Sequence, residues 1–258
     1  MSNENIENIQ TNMKNLFEQM YRKTKSESFR DIFREVYGSE YPEEANPDGF
    51  VSNTDLQNIV DHLNVGPSDR IIDLGCGRGG PGLWISRKTG AAYLGIDLSE
   101  NAVKQANERV KAFGIEGNVK FESGDICSLN FPDNSFNGAF SIDVLSFIPD
   151  LPKTFLEISR LLRPKSNLVF TTWEKKNVVK IKDYRQYLLN SGFDIKIYEE
   201  VKDWERRQRE VYENTLKLKK ILIKDMGRDG AFVYILDAKT YLPGLKDSRR
   251  IFVVATKK

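Results

Sequence analysis

The sequence predicts a doubly wound α/β fold, a mostly parallel sheet with helices on both faces. Three observations carry this. From residue 70 onward, short apolar runs alternate with stretches of helical periodicity, the pattern of parallel strands joined by crossover helices. The runs "RIIDLG" and "RRIFVVATKK" carry near-continuous apolar stretches, as strands buried on both faces do. The first run leads straight into "GCGRGGPG", with glycines at 75, 77, 79, 80 and 82. An open parallel sheet binds its ligand outside the carboxyl ends of its strands, and that is where this turn falls.

The elements follow in order. Ile9, Met13, Leu16, Phe17 and Met20 recur at helical spacing, and Phe29, Ile32, Phe33, Val36 and Tyr37 repeat the pattern up to Gly38. A loop marked by Pro42, Pro47 and Gly49 precedes a third helix that starts near Ser52 to Thr54. "RIIDLG", "AAYLGIDLS", "NVKFESGD", "FNGAFSIDVL", "SNLVFTTW", "FDIKIYEEV" and "RRIFVVATKK" read as strands. Between them, "GGPGLWISRKTG", "SENAVKQANERVKAFG", "LPKTFLEISRLLRP" and "KDYRQYLLNSG" read as helices, the second capped by Ser99 or Asn101. The charged stretch "WERRQREVYENTLKLKKILIK" interrupts the alternation, and its "LKLKKILIK" run predicts an amphipathic helix with a lysine face. The chain therefore divides into an N-terminal helical lid over 1–65, an α/β core over 66–200, a helical cap insert over 201–248 and a last core strand over 249–258.

Composition narrows the function. The 258 residues carry 39 Lys and Arg against 37 Asp and Glu, a balance that speaks against a dedicated nucleic-acid binder. No run approaches the roughly 20 apolar residues of a membrane span, and "MSNENIENIQ" lacks the apolar segment of a signal peptide. Cys76 and Cys127 form neither a closely spaced metal pair nor a disulfide framework, and His62 is the single histidine. The expectation is a cytoplasmic protein with reduced thiols and no metal, a monomer or a homodimer.

A glycine-rich turn lets backbone approach a ligand closely, because no side chain intervenes. "GCGRGG" also fits G-x-G-x-x-G, with Asp97 ending the second strand, so a nicotinamide cofactor is permitted. Three acids qualify that. Asp73, two residues before Gly75, repels a pyrophosphate and attracts a cationic amine or sulfonium. Asp97, followed by Leu98 and Ser99, suits a diol. Asp125, ending "SGD", suits an exocyclic amine.

These stretches, with "FNGAFSIDVLSFIPD" and "LLRPKSNLVFTTW", resemble the class I S-adenosylmethionine-dependent methyltransferases, in particular the small-molecule branch of methyltransferase type 11-like proteins. The resemblance runs from about Gln57 to Trp173 and includes the last strand. It implies a Rossmann-like, seven-stranded sheet whose final strand is antiparallel. It implies that Asp73, Gly75 and Gly77 hold the methionine end of S-adenosylmethionine, with Ser141 near it. Asp97 would hold the ribose, Leu98 and Ile126 flank the adenine, and Asp125 meet its amine. The product would be S-adenosylhomocysteine.

Where relatives place a histidine or another polar group near the acceptor, this chain has Ser146 and Phe147. Asp143 and Glu174 are the remaining carboxylates at strand ends, and Asp143 is the candidate base. The acceptor pocket is expected from the lid and the cap, with Tyr21, Tyr41, Phe147, Trp173 and Tyr212 as candidate walls. The function expected is N- or O-methylation of a small molecule by in-line displacement. A protein or RNA methyltransferase, an NAD-dependent oxidoreductase and a non-catalytic adenosylmethionine-binding protein are the alternatives.

Overall fold

The computed structural model describes residues 3–22, 26–175 and 183–258. Strands run over β1 (Arg70–Leu74), β2 (Ala92–Asp97), β3 (Val119–Ser123), β4 (Phe136–Ile142), β5 (Leu162–Lys175), β6 (Phe193–Glu200) and β7 (Ser248–Lys257). Helices run over α1 (Asn3–Met20), α2 (Glu27–Tyr37), α3 (Asn53–Leu63), α4 (Gly80–Thr89), α5 (Glu100–Phe113), α6 (Leu151–Leu161), α7 (Arg185–Asn190), α8 (Trp204–Lys217) and α9 (Lys219–Tyr241). Lys182, the first residue of the predicted helix "KDYRQYLLNSG", lies outside the described residues.

Among the described residues the strands form one seven-stranded sheet in the order β3-β2-β1-β4-β5-β7-β6. Neighbours from β3 to β5 are parallel, and β7 is antiparallel to both β5 and β6. The chain winds outward from β1 to β3 and then returns to β4 on the other side of β1. That reversal opens the crevice at the carboxyl ends of β1 and β4.

Alternation along each strand feeds two cores. Ile71, Phe140 and Val169 face α3 and α4 with Leu56, Ile59, Leu63 and Leu83, whereas Ile72, Leu74 and Phe170 face α6 with Phe155 and Ile158. The helix starts are fixed by side chains. Ser52 Oγ accepts from the Asp55 amide at 3.1 Å while Asp55 Oδ2 accepts from the Ser52 amide at 3.0 Å. Ser99, of the two candidates, caps α5 by accepting from the Ala102 amide at 3.1 Å.

The N-terminal helices and the insert pack on each other. Phe29, Ile32, Phe33 and Val36 of α2 meet Val211 of α8 and Leu222, Met226 and Tyr234 of α9. The lysine-rich run does not form one helix. It breaks at Leu218 between α8 and α9, because α9 turns to bury Leu222 and Met226 in that cluster. Among the described residues no helix is long and apolar enough to cross a membrane.

Candidate active site

The chain leaves β1 through Gly75, Cys76, Gly77, Arg78 and Gly79 and enters α4. Gly75 and Gly77 have φ of +89° and +52°. A Cβ on Gly75 would lie 2.4 Å from Val144 Cγ2, and one on Gly77 would lie 3.0 Å from Tyr21 Oη. Only glycine meets both requirements, a left-handed backbone and close approach. The Gly75 and Cys76 amides donate to Ile96 O at 2.8 and 2.9 Å, and the Gly77 amide donates to Asp97 Oδ2 at 2.8 Å. Asp97 Oδ1 accepts from the Ser99 amide at 2.9 Å. The loop therefore hangs on the end of β2, and the two amides orient the Asp97 carboxylate while leaving lone pairs for further donors. Burial raises the Asp97 pKa against the pull of those two amides, and nearby Asp48 and Glu18 add to the rise.

The Asp73 carboxyl turns into the sheet, where Oδ2 accepts from Tyr93 Oη at 2.8 Å. Burial pushes its pKa up to about 8, with the Tyr93 hydrogen bond pulling down and Asp97 pushing up. Ser141 is fully buried and its Oγ donates to Leu74 O at 2.7 Å, tying β4 to the end of β1. Asp125 Oδ1 accepts from the Cys127 amide at 2.9 Å, and Oδ2 accepts from Gln10 Nε2 of α1 at 3.2 Å. Ile126 is buried beside it, and Leu98 is half-buried. Glu18, also on α1, accepts from the Glu100 amide at 2.6 Å. Helix α1 thus lies along the ends of β2 and β3, with Tyr21 over Gly77.

Arg78 spans the loop's outer side. It donates to Gln105 Oε1 at 2.8 Å, pairs with Asp48, and lies 5.0 Å from the Tyr21 ring centroid.

A second group surrounds the ends of β4 and β5. Asp143 follows β4 with φ +61°. Its Oδ1 accepts from Thr171 Oγ1 at 2.8 Å and from Arg250 Nε at 3.0 Å, and its Oδ2 accepts from Arg250 Nη2 at 3.2 Å. Arg250 also reaches Asp55 Oδ2 at 2.9 Å. Burial works against the Arg250 charge, yet Asp143 and Asp55 hold its pKa above the ordinary value. Glu174, 1% exposed, accepts from Tyr198 Oη and Arg249 Nε. Phe50 meets the edges of Trp173 and Tyr212, with centroids at 5.8 and 5.4 Å. A directed chain of hydrogen bonds runs from Trp173 Nε1 to Gln208, on to Tyr212 Oη and to Asp237, each at 2.9 Å.

Of the residues nominated from sequence, the glycines, Asp97, Tyr21 and Ser141 gather at the end of β1, whereas Asp125 follows β3, one residue after Gly124, whose amide donates to Asp97 O at 2.9 Å. Phe147 packs edge-on against Phe17 of α1 at 5.6 Å. Trp173 and Tyr212 meet through Phe50. Tyr41 sits apart from both groups of contacts, packed against Phe33 with its hydroxyl bonded to Asn46 Oδ1 at 2.8 Å. Sequence reasoning missed Arg78, Asp55, Gln208 and Arg250. A cation inside a glycine loop and a cation opening an apolar strand were the available signals.

A Rossmann-like sheet with a glycine loop anchored on a strand-end carboxylate defines a nucleoside-binding α/β protein. Residues 66–225 match the family model described as a methyltransferase domain, and the chain belongs to that family. Methyltransferase GfsG of Streptomyces halstedii is 34% identical over 112 residues, 43% of this chain and 40% of that protein. Phosphoethanolamine N-methyltransferase 1 of Arabidopsis thaliana is 31% identical over 150 residues, 57% of this chain and 30% of that protein. The chain thus spans well under half the length of these relatives. Phosphoethanolamine N-methyltransferase 2 of Haemonchus contortus, solved with phosphomonomethylethanolamine and S-adenosylhomocysteine, has a TM-score of 0.67 at 21% identity, covering 93% of this chain and 60% of that one.

S-adenosylmethionine is the cofactor of this family, which decides between it and the nicotinamide that the glycine fingerprint alone permitted. The residues present fit it. Gly77 brings bare backbone beside the Tyr21 hydroxyl, Asp97 keeps acceptor capacity for hydroxyls, and Asp125 Oδ2 already takes an amide N–H donor from Gln10.

Proposed function

We propose that the protein transfers a methyl group from S-adenosylmethionine to nitrogen of a small amine. Bound, the cofactor supplies a methyl group already activated on sulfonium. In this reading Gly75 and Gly77 carry its methionine end, Asp97 its ribose and Asp125 its adenine amine, with Leu98 and Ile126 beside the ring. Asp73 and Ser141 act as positioning residues, through Tyr93 and through Leu74 O. Helices α1, α2, α8 and α9 form the lid that excludes water, which adds to the value of every charge inside. The monomeric or dimeric, cytoplasmic and nucleic-acid-independent reading of the sequence belongs to the same proposal.

The observation that carries the acceptor class is the engagement of both carboxylates at the β4 and β5 ends. Asp143 is held by Arg250 and Thr171, and Glu174 by Tyr198 and Arg249. Their oxygens are already taken up by these donors, so neither carboxylate is placed to receive a proton from an acceptor. An amine that binds neutral needs no such base, and alignment alone contributes on the order of 7–11 kcal/mol of barrier lowering. Similarity to phosphoethanolamine N-methyltransferases supports the same class.

Incubation with methyl-labelled cofactor and a panel of small amines, phenols, carboxylic acids and isoprenoid alcohols tests this. Label in an amine product is expected. Label confined to oxygen or carbon acceptors overturns the amine assignment and leaves the methyltransferase reading in place.

A further inference from the structure

Tyr234 of α9 is 7% exposed, and its ring lies 4.2 Å from that of Phe29. Its hydroxyl has no hydrogen-bond partner among the described residues. The polar group beside it is the Arg78 guanidinium, which can only donate. Whatever the arrangement of that pair, the phenol proton therefore has no acceptor among the described residues. Burial, with Asp48 adding to it and Arg78 opposing, raises the Tyr234 pKa to about 12, so the proton stays in place at neutral pH. A buried hydroxyl proton without an acceptor is costly, and a fold retains one most readily where something else supplies the acceptor.

The surroundings say what that acceptor is. Arg78 stands near two phenols, Tyr234 from the cap and Tyr21 just past the end of α1. Tyr21 Oη in turn stands 3.0 Å from the Cβ position of Gly77. Asp48 balances the Arg78 charge, which leaves the two phenols as the neutral donors of the group. Two phenols and the rim of a guanidinium, gathered against a glycine loop, match a carboxylate.

We propose that Tyr234, with Tyr21 and Arg78, seats the carboxylate at the amino-acid end of the ligand on the glycine loop. This rests on the cofactor reading above and deepens it. Through this seat the cap helix α9 senses whether the loop is filled, because the Tyr234 hydroxyl then gains the acceptor that the described residues do not give it. A carboxylate on the methyl acceptor has the same chemistry, and the test separates the two.

S-adenosylhomocysteine and 5′-methylthioadenosine share the adenosine and the thioether, and the second lacks the amino-acid end. Titration calorimetry of both ligands with the full chain and with Tyr234→Phe reads the proposal directly. The variant is expected to bind S-adenosylhomocysteine about tenfold or more weakly, the size of a hydrogen bond to a charged group, and to bind methylthioadenosine as the parent does. Its ligand-free melting temperature is expected to equal or exceed that of the parent, because it loses only an unsatisfied hydroxyl. Equal weakening of both ligands, or of neither, overturns the proposal. Unchanged affinity for S-adenosylhomocysteine together with a raised KM for an acidic acceptor overturns it in favour of the acceptor. If the parent chain binds neither ligand, the cofactor reading falls first and the seat falls with it.

Discussion

The Gly77 amide donates to Asp97 Oδ2 at 2.8 Å across 20 residues of sequence, so the glycine loop and the end of β2 form one rigid corner. Asp97 holds the loop, and in the proposed reading it also offers its remaining lone pairs to the ribose. Replacing it by alanine removes both. Asp97→Ala is expected to weaken S-adenosylhomocysteine binding by about 1.5–3 kcal/mol, and calorimetry checks it. Asp97→Asn keeps one amide bond and is expected to fall between. An alanine variant with parental affinity would show that the cofactor lies elsewhere.

Gly75 is constrained by space as well as by backbone. A Cβ there meets Val144 Cγ2 at 2.4 Å, on a residue with φ +89°. Gly75→Ala is expected to cost about 1–3 kcal/mol in overpacking, with roughly 1–2 kcal/mol more for the left-handed backbone. The melting temperature should drop on the order of 10 °C by scanning calorimetry. Adding Val144→Ala should restore part of the loss and not all of it, because only the collision is relieved. No recovery would mean that Val144 is not what the new methyl group strikes.

Which features were legible in the sequence follows from how far apart their partners are. The strands were readable because buried parallel strands must be apolar almost throughout, as "RIIDL" and "FVVA" are. Asp97 was readable because a carboxylate closing an apolar run has few structural reasons to be there. The inward turn of Asp73 was not, since it depends on register. Asp73 pairs with Gly95, and the missing side chain at Gly95 leaves room for the Tyr93 hydroxyl. Arg250 was hidden more deeply, with partners 195 and 107 residues away in Asp55 and Asp143. Tyr21 over Gly77 needed the placement of α1, which no local pattern fixes.

The buried Asp73 gives the ligand-free protein a pH dependence of definite sign. Burial raises its pKa from 3.8 to about 8, against the Tyr93 hydrogen bond. Between those values the folded state holds a proton that the unfolded state has lost. Its contribution to stability is therefore complete below pH 3.8, declines as pH rises toward 8 and is flat beyond. Asp237, raised by burial to about 6, acts the same way over a lower window. Between roughly pH 6.5 and 8 the melting temperature should fall by several degrees, and the fall should shrink in Asp73→Asn. An identical slope in the variant would assign the dependence to other groups.

The ion-pair trio at the β4 end supplies the last test, because it separates a structural carboxylate from a reactive one. Arg250, 1% exposed, is shared by Asp143 and Asp55. Arg250→Met leaves two buried carboxylates facing each other, and losing the partner of a buried charge costs about 3–5 kcal/mol. Asp143→Asn leaves Arg250 with Asp55 and keeps an oxygen for Thr171, so about 1–3 kcal/mol is expected. In the double variant the carboxylate that Arg250→Met strands at position 143 is gone. Its loss should therefore be smaller than the two single losses together, by roughly 0.5–3 kcal/mol in a chemical denaturation cycle. Additive losses would show that Asp143 and Arg250 do not depend on each other. With an acceptor in hand, a fall in rate toward low pH that disappears in Asp143→Asn would make Asp143 the general base, and the amine reading would lose its main support.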